Sequence, residues 1–271
     1  MITYRSRFLV RGEVWFDNEA GNTRGLDWLL YHQRSQPVPG AKTTPFHTYV
    51  IDLKQNREQL LANLNKDTAY KIRRSLERDH ILCECCDPLD KEIITQFEQM
   101  YNIFAKLKGL APLDRARMEG MAAAGALDIS VAKDPDGNAL VYHANYRDSF
   151  RARNLELPSL YRTLADSAAR NLSGRANRLL TWSNILRYQE QGLKYFDFGG
   201  WYQGADPSML KINEFKKGFG GQVVREYQCE QILTMKGWAV LYAARLLKRV
   251  RLFPSPPNQA APLQKPELVP G

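Results

Sequence analysis

The sequence predicts a mixed α/β protein, a central sheet flanked by helices. Three observations carry that expectation. A β-branched strand, FHTYVIDL (46–53), leads into two consecutive helical segments. The texture then turns to β, with a hairpin whose turn holds Asp136-Gly137. Finally, a long helical segment, 173–192, enters after the third central strand and before a buried strand at 193–200.

Residues 1–40 hold short strand-like pieces, RFLVRG, EVWFD and DWLLYHQ, separated by Gly, Asn and Asp turn signals. PVPGAKTTP (37–45) reads as a loop. NREQLLANL and the basic stretch 66–79 read as helices, with Asp67 or Thr68 capping the second. ILCECCD is a short strand. DKEIITQFEQMYNIFAKLKG (90–109) places apolar residues at 93, 94, 97, 100, 101, 104 and 107, an amphipathic helix stopped by Gly109 and Pro112. Residues 114–125 form a further helix closed by glycine. LDISVAKD and ALVYHANYRD make the hairpin, and 151–162 gives a third strand ending near Pro158. In 173–192, Ser173 is the expected N-cap and Gly192 the stop. A short helix follows with Pro207 in its first turn. QVVREYQCEQILT supplies one or two strands and KGWAVLYAARLLKRVRLF a last helix. The tail from Phe253 holds 6 of the 14 prolines and is expected to be disordered or extended.

Length and composition bound the function. The chain has 271 residues and a formal charge of +9, fitting one large domain or two small ones. No apolar run reaches the ~18–20 residues that span a bilayer, and the N-terminus lacks an apolar signal region. A cytoplasmic protein is expected. Cys83, Cys85, Cys86 and Cys229 lack paired zinc spacing, and the histidines at 32, 47, 80 and 143 are scattered, so reduced thiols and no metal are expected. Segment 66–80 mixes Lys66, Lys71, Arg73, Arg74 and Arg78 with Asp67, Glu77 and Asp79, the pattern of a solvated face. Without aromatic residues interleaved among the basic ones, DNA is not an expected partner. Acidic small molecules or anionic lipid suit the positive field better.

Three segments carry chemistry. In NLSGRAN (171–177), a glycine and small residues at a helix start would leave amides open to an anion, or serve plain capping. In YFDFGGW (195–201), Tyr195, Asp197 and Gly199 share one strand face while Phe196 and Phe198 fill the other. Asp197 is read either as a functional acid or as an acceptor for loop amides. In INEFKKGFGGQVV (212–224), Lys216 and Lys217 precede a glycine turn, where a lysine either meets an anionic ligand or is simply solvated.

Together these residues resemble a family. LKYFDFGGWYQGADPSMLKINEFKKGFGGQVVREY is similar to the closing portion of the FemAB-like branch of the GNAT (N-acyltransferase) superfamily. There a strand ending Asp-x-Gly-Gly precedes a short helix and a Phe-Lys-x-x-Phe-Gly-Gly turn, matched by Phe215, Lys216, Phe219, Gly220 and Gly221. NLSGRA resembles the pyrophosphate loop, with Gly174 and Ala176 in place but Asn171 where Gln or Arg is usual. LLANLNKDTAYKIRRSLERDHI is similar to the early helical segment. The resemblance covers 46–235 and implies a GNAT-like, mostly antiparallel sheet in that domain. Residues 1–45 become a β-rich extension, 236–252 a basic amphipathic helix and 253–271 a Pro-rich tail.

The resemblance implies acyl transfer from acyl-CoA to an amine, such as an amino sugar, polysaccharide or lipid-linked cell-envelope precursor. Acyl-CoA would lie between 151–157 and 194–198, its pyrophosphate on Asn171, Ser173, Gly174, Arg175, Ala176 and Asn177. Asp197 or His143 would be the base, and Tyr202 would protonate the leaving thiolate. Lys216, Tyr146 and Trp201 are the expected substrate contacts. With a single recognisable acyltransferase half, acyl-CoA is favoured over the aminoacyl-tRNA of Fem-type transferases. A non-catalytic binding module of the same fold is the reading from another class. The last helix carries Trp238, Leu241, Leu246, Leu247, Val250 and Phe253 beside Arg245, Lys248, Arg249 and Arg251. It either docks peripherally on anionic membrane or packs on the domain.

Overall fold

Alternating burial along the strands and one-sided burial along the helices organise the chain around a single ten-stranded sheet. The computed structural model describes residues 1–251 except Arg7 and Arg162, and for 245–251 the backbone alone. The expected extended tail, from Phe253 on, lies outside the described residues. The strands are β1 (Ile2–Ser6), β2 (Leu9–Trp15), β3 (Trp28–Arg34), β4 (Lys42–Asp52), β5 (Leu82–Cys86), β6 (Leu127–Lys133), β7 (Ala139–Arg147), β8 (Arg151–Glu156), β9 (Tyr195–Gly200) and β10 (Gln222–Ile232). The helices are α1 (Arg57–Ala62), α2 (Lys66–Glu77), α3 (Lys91–Lys108), α4 (Arg115–Ala123), α5 (Ser167–Glu190), α6 (Pro207–Lys217) and α7 (Met235–Arg251).

The strand order is β1-β2-β3-β10-β4-β9-β8-β7-β6-β5, with β2–β3 and β8–β9 parallel and the other pairs antiparallel. Its mixed, mostly antiparallel character is the one expected. Phe196, Phe198, Tyr49 and Ile51 face α5, where they form one core with Ile72 of α2 and Leu179, Ile185 and Tyr188 of α5. On the opposite face Ile129, Val131 and Tyr142 pack with Phe97 and Met100 of α3 and Met118 and Met121 of α4. The sheet curls around that second face. Trp15 of β2 stacks on Tyr146 of β7 at 4.4 Å, although five strands separate β2 from β7 in the sheet. Gly120 of α4 lies so near β1 that a Cβ there would sit 3.0 Å from the Cβ of Tyr4.

Local signals hold in most places. Gly109 ends α3 in the left-handed region, at φ 65°. Pro207 stands in the first turn of α6. Elsewhere long-range pairing changes the outcome. RFLVRG and EVWFD belong to one strand, and its partner β1 begins earlier, at Ile2. Asn65, not Asp67 or Thr68, caps α2 by accepting from the Thr68 amide. The largest shift is at α5. Asp166 caps it, accepting from the Ala169 amide at 2.9 Å, so Ser173 and Gly174 lie inside the helix rather than at its start. Ser-Ala-Ala-Arg is a good helix-forming stretch, and its added turns offset the ~1 kcal/mol that an interior glycine costs.

The Phe-Gly-Gly turn that leads into β10 is set by close approach. Gly221 has φ 124°, and a Cβ there would meet the Val50 carbonyl oxygen at 2.6 Å. Gly221→Ala should therefore destabilise by about 1–3 kcal/mol, read as a lower midpoint in thermal denaturation. An unchanged midpoint would show that the turn relaxes freely.

Candidate active site

Asp197 points from β9 away from the α5 core, into the interior of the curled sheet, and is fully buried. Arg151 of β8 donates to its Oδ2 at 2.5 Å and Gln33 of β3 at 2.6 Å; the Gly199 amide at 2.6 Å and the Thr48 hydroxyl of β4 donate to Oδ1. Arg151 also reaches Glu226 of β10, with Nη1 to Oε1 at 2.5 Å, and its guanidinium lies over the Phe16 ring. Burial favours the neutral form of Glu226 and pushes its carboxyl above the usual range, against the opposing pull of Arg151. Beside this network Glu13 of β2 accepts two bonds from Arg117 of α4, at 2.6 and 3.1 Å. Burial would raise its carboxyl too, but the His32 hydrogen bond and Arg117 hold it well below the carboxylate range.

The ladder between β8 and β9 ends at the pair Arg153–Asp197, though both strands run on for three residues. Polar groups of β8 at this opening lack partners: both amide atoms of Asn154 and the Nε of Arg153 are buried without a hydrogen bond, as is the hydroxyl of Ser173 on α5. Such atoms call for ligand or water. Arg153 makes no ion pair among the described residues, lies over the Trp15 ring and sits against Gly199, where a Cβ would be 3.2 Å from its Nη2. Lys216 closes the other side, donating to the carbonyls of Gly199 (3.2 Å) and Gly200. Burial, with some help from Arg153, lowers its ammonium to about 8.

Two concavities lie one on each face of the sheet. On the α5 face, α2 and α5 line a surface pocket of about 390 Å³ with Lys71, Arg74, Arg170, Arg175 and Arg178, beside Tyr70 and Tyr161. Both tyrosines are nearly half exposed, at 45% and 46%. Asp79 pairs with Arg175 and Asp67 with Lys71, which leaves excess positive charge. The Arg178 guanidinium lies over the Phe215 ring, linking this pocket to the neighbour of Lys216. On the other face, a cavity of about 240 Å³ lies between β8 and the α3–α4 connection, lined by Tyr101, Leu110–Asp114, Arg117, Met118 and Glu156. Burial raises the Glu156 carboxyl above the usual range, against Arg117, Arg153 and its bond with Tyr101.

The residues singled out by sequence fall into separate groups. Asp197 and His143 lie on opposite faces of the sheet, so they do not form one catalytic unit. His143 is fully buried under α5, with Nε2 2.7 Å from Asn177 Oδ1 and Nδ1 3.2 Å from Asn184. Burial pulls its pKa down to about 4. The amides of 171–177 are interior to α5 and spent on helix bonds; Asn171, Gly174 and Arg175 line the cationic pocket, Ala176 is buried in the core, and Ser173 is buried. Tyr146 is buried against Trp15, and Trp201 stacks on Tyr49 at 5.0 Å. The Tyr202 hydroxyl accepts from the Asp206 amide of its own loop at 3.2 Å. Sequence reasoning named Arg175 but missed Arg153, Glu156, and Arg170 and Arg178 of α5. The signal was RARNLE, whose two arginines at alternate positions of a central strand need a polar face to receive them.

No family model and no curated protein matches the sequence. Among solved structures the chain resembles FemX, with TM-score 0.56 and 16% identity over 73% of this chain, an alignment that spans 63% of FemX. It also resembles the C-terminal DUF2156 domain of a putative lysylphosphatidylglycerol synthetase from Agrobacterium fabrum, with TM-score 0.53 and 14% identity, covering 86% of this chain and 82% of that one. The protein shares the fold of FemX and of that domain, the FemAB-like fold expected from the sequence. No group of residues suited to a metal ion occurs among the described residues, and no described helix is long and apolar enough to cross a membrane.

Two outcomes follow from this geometry. The unfolded chain binds a proton at His143 near pH 6.5 while the folded chain holds off until about 4, so stability falls as pH drops between those values. His143→Gln should flatten that part of the stability–pH curve, measured by urea denaturation. Asp197→Asn leaves Arg151 short of a charge and should cost about 3–5 kcal/mol of stability. Residual activity tracking the folded fraction would confirm the structural role, and a fully stable, inactive variant would refute it.

Proposed function

We propose that the protein is an acyltransferase that moves an acyl group from a phosphorylated, adenosine-bearing carrier to an amine. The observation that carries this reading is the opening between β8 and β9, with a cationic pocket on one face and a Glu156-lined cavity on the other. The carrier's phosphates pair with Lys71, Arg74, Arg170 and Arg178, and Tyr70 or Tyr161 offers a ring to the base. The acyl carbonyl enters the opening, where Arg153 and the ammonium of Lys216 stabilise the developing oxyanion. The acceptor amine approaches from the opposite cavity. Glu156 takes its proton as the new C–N bond forms, and the bond to the carrier's sulfur or oxygen breaks, that atom leaving with its electron pair. Glu156 replaces Asp197 and His143 in the role of base, because both of the latter are committed to buried partners.

Acyl-CoA is the first reading of the carrier. An aminoacyl-tRNA is the second, favoured by one observation. The basic surface runs on from the pocket along α2, through Arg73 and Arg78, and so extends past the phosphates of a single nucleotide. Amino-sugar, polysaccharide and lipid-linked cell-envelope amines remain the acceptor classes that this reading carries forward.

Calorimetric titration with coenzyme A and with tRNA separates the two carriers. Gly174 has open space around it, and Gly174→Asp places a carboxylate among the arginines. Carrier affinity should fall at least about ten-fold with little change in thermal midpoint; unchanged affinity would sink the pocket assignment. A base acts when deprotonated and Lys216 when protonated. Activity should therefore rise with pH through a Glu156 value above the ordinary range and fall again near pH 8. Glu156→Gln should remove the acid limb and lower kcat by ~10²–10⁴.

A further inference from the structure

The start of α7 is pinned to the domain. Gly237 lies so near the chain that a Cβ there would sit 2.5 Å from the Asp27 carbonyl, and Asp27 accepts from Thr234 and pairs with Lys236, both at 2.7 Å. That anchoring turns one side of the helix outward. Met235 is 83% exposed, Trp238 55% and Tyr242 51%, and the two rings stack one turn apart at 5.1 Å, nearly parallel. On the domain side of α7 an apolar groove of about 380 Å³ runs between Val240, Leu241 and Ala244 and the β1–β2 turn, where Phe8 is 74% exposed. Large apolar residues gathered in this way mark a contact surface.

Charge selects the partner. From residue 231 to residue 266 the chain has six basic residues and no acidic one. Asp27 neutralises Lys236, which leaves Arg245, Lys248, Arg249, Arg251 and Lys265. Exposed Trp and Tyr beside a run of Lys and Arg is the composition of a helix lying at a bilayer interface, where the rings sit at headgroup level and the cations meet anionic lipid.

We infer that Phe8 and the Met235–Trp238–Tyr242 face of α7, together with the basic residues that follow in the sequence, dock the protein on an anionic lipid bilayer. This surface is separate from the β8–β9 opening and stands whatever the chemistry there. It takes the protein to a membrane without crossing it, in accord with the absence of a spanning helix among the described residues.

Co-sedimentation of the full chain with phosphatidylcholine vesicles, with and without phosphatidylglycerol, tests the inference. Binding should require phosphatidylglycerol and weaken steeply with salt. The double variant Trp238→Ala/Tyr242→Ala, altered only at exposed positions, should bind roughly ten-fold less well with an unchanged circular dichroism spectrum. A second variant, Lys248→Ala/Arg249→Ala, should lose roughly five-fold per charge and much of the salt dependence. No sedimentation with anionic vesicles at low salt overturns the inference, as does binding unaffected by either variant. Self-association that the aromatic pair abolishes, in the absence of vesicle binding, would instead assign the face to a second copy of the chain.

Discussion

Burying Asp197 is the constraint on which the rest of the sheet depends. A carboxylate in the interior of a curled sheet is tolerated only with charge and hydrogen bonds around it. Here Arg151 from β8, Thr48 from β4 and Gln33 from β3 donate to it, and Glu226 from β10 shares Arg151 and Gln33 with it. Those strands and β9 are contiguous, in the order β3-β10-β4-β9-β8. The network therefore fixes the register of half the sheet at one point. It also explains why the first strands of the chain, β1–β3, are continuous with the sheet. Without β3 and β10, two of the groups that complete the network would be missing.

The same network shapes the site by what it leaves out. Arg151 pairs with two carboxylates, while Arg153, two residues along and on the same strand face, has no carboxylate of its own. Its charge is left at the place where β8 and β9 stop pairing. Lys216 arrives from the other side through the α6 turn, held by two carbonyls rather than by an anion. A positively charged opening with unpaired amide groups is the electrostatic result, and an acyl oxygen or a phosphate suits it.

The long α5 decides how an anion can be held. Because the helix begins at Ser167, the residues 171–177 present side chains rather than free amides. In the proposed function, binding then rests on guanidinium groups, which reach farther and accept a larger polyanion than a helix terminus does. Arginines from two helices meet only because α2 packs against α5, and Tyr161 joins them from the loop after β8. No local pattern in 66–80 distinguishes that face from a merely solvated one.

By itself, the sequence determined the amphipathic α3, the Asp-Gly hairpin and the placing of Asp197 opposite Phe196 and Phe198, which follow from periodicity or turn chemistry within a dozen residues. The order of elements carried the mixed α/β class, and the family resemblance carried the Phe-Lys turn. Only the tertiary structure decided that Asp197 is an ion-network anchor, that His143 faces the other side, and that Glu156 and Arg153 border the opening. Alternation says which residues of a strand share a face, but not which strands become neighbours. That order joins residues as far apart as Gln33 and Glu226, and it is set by burial across the whole sheet.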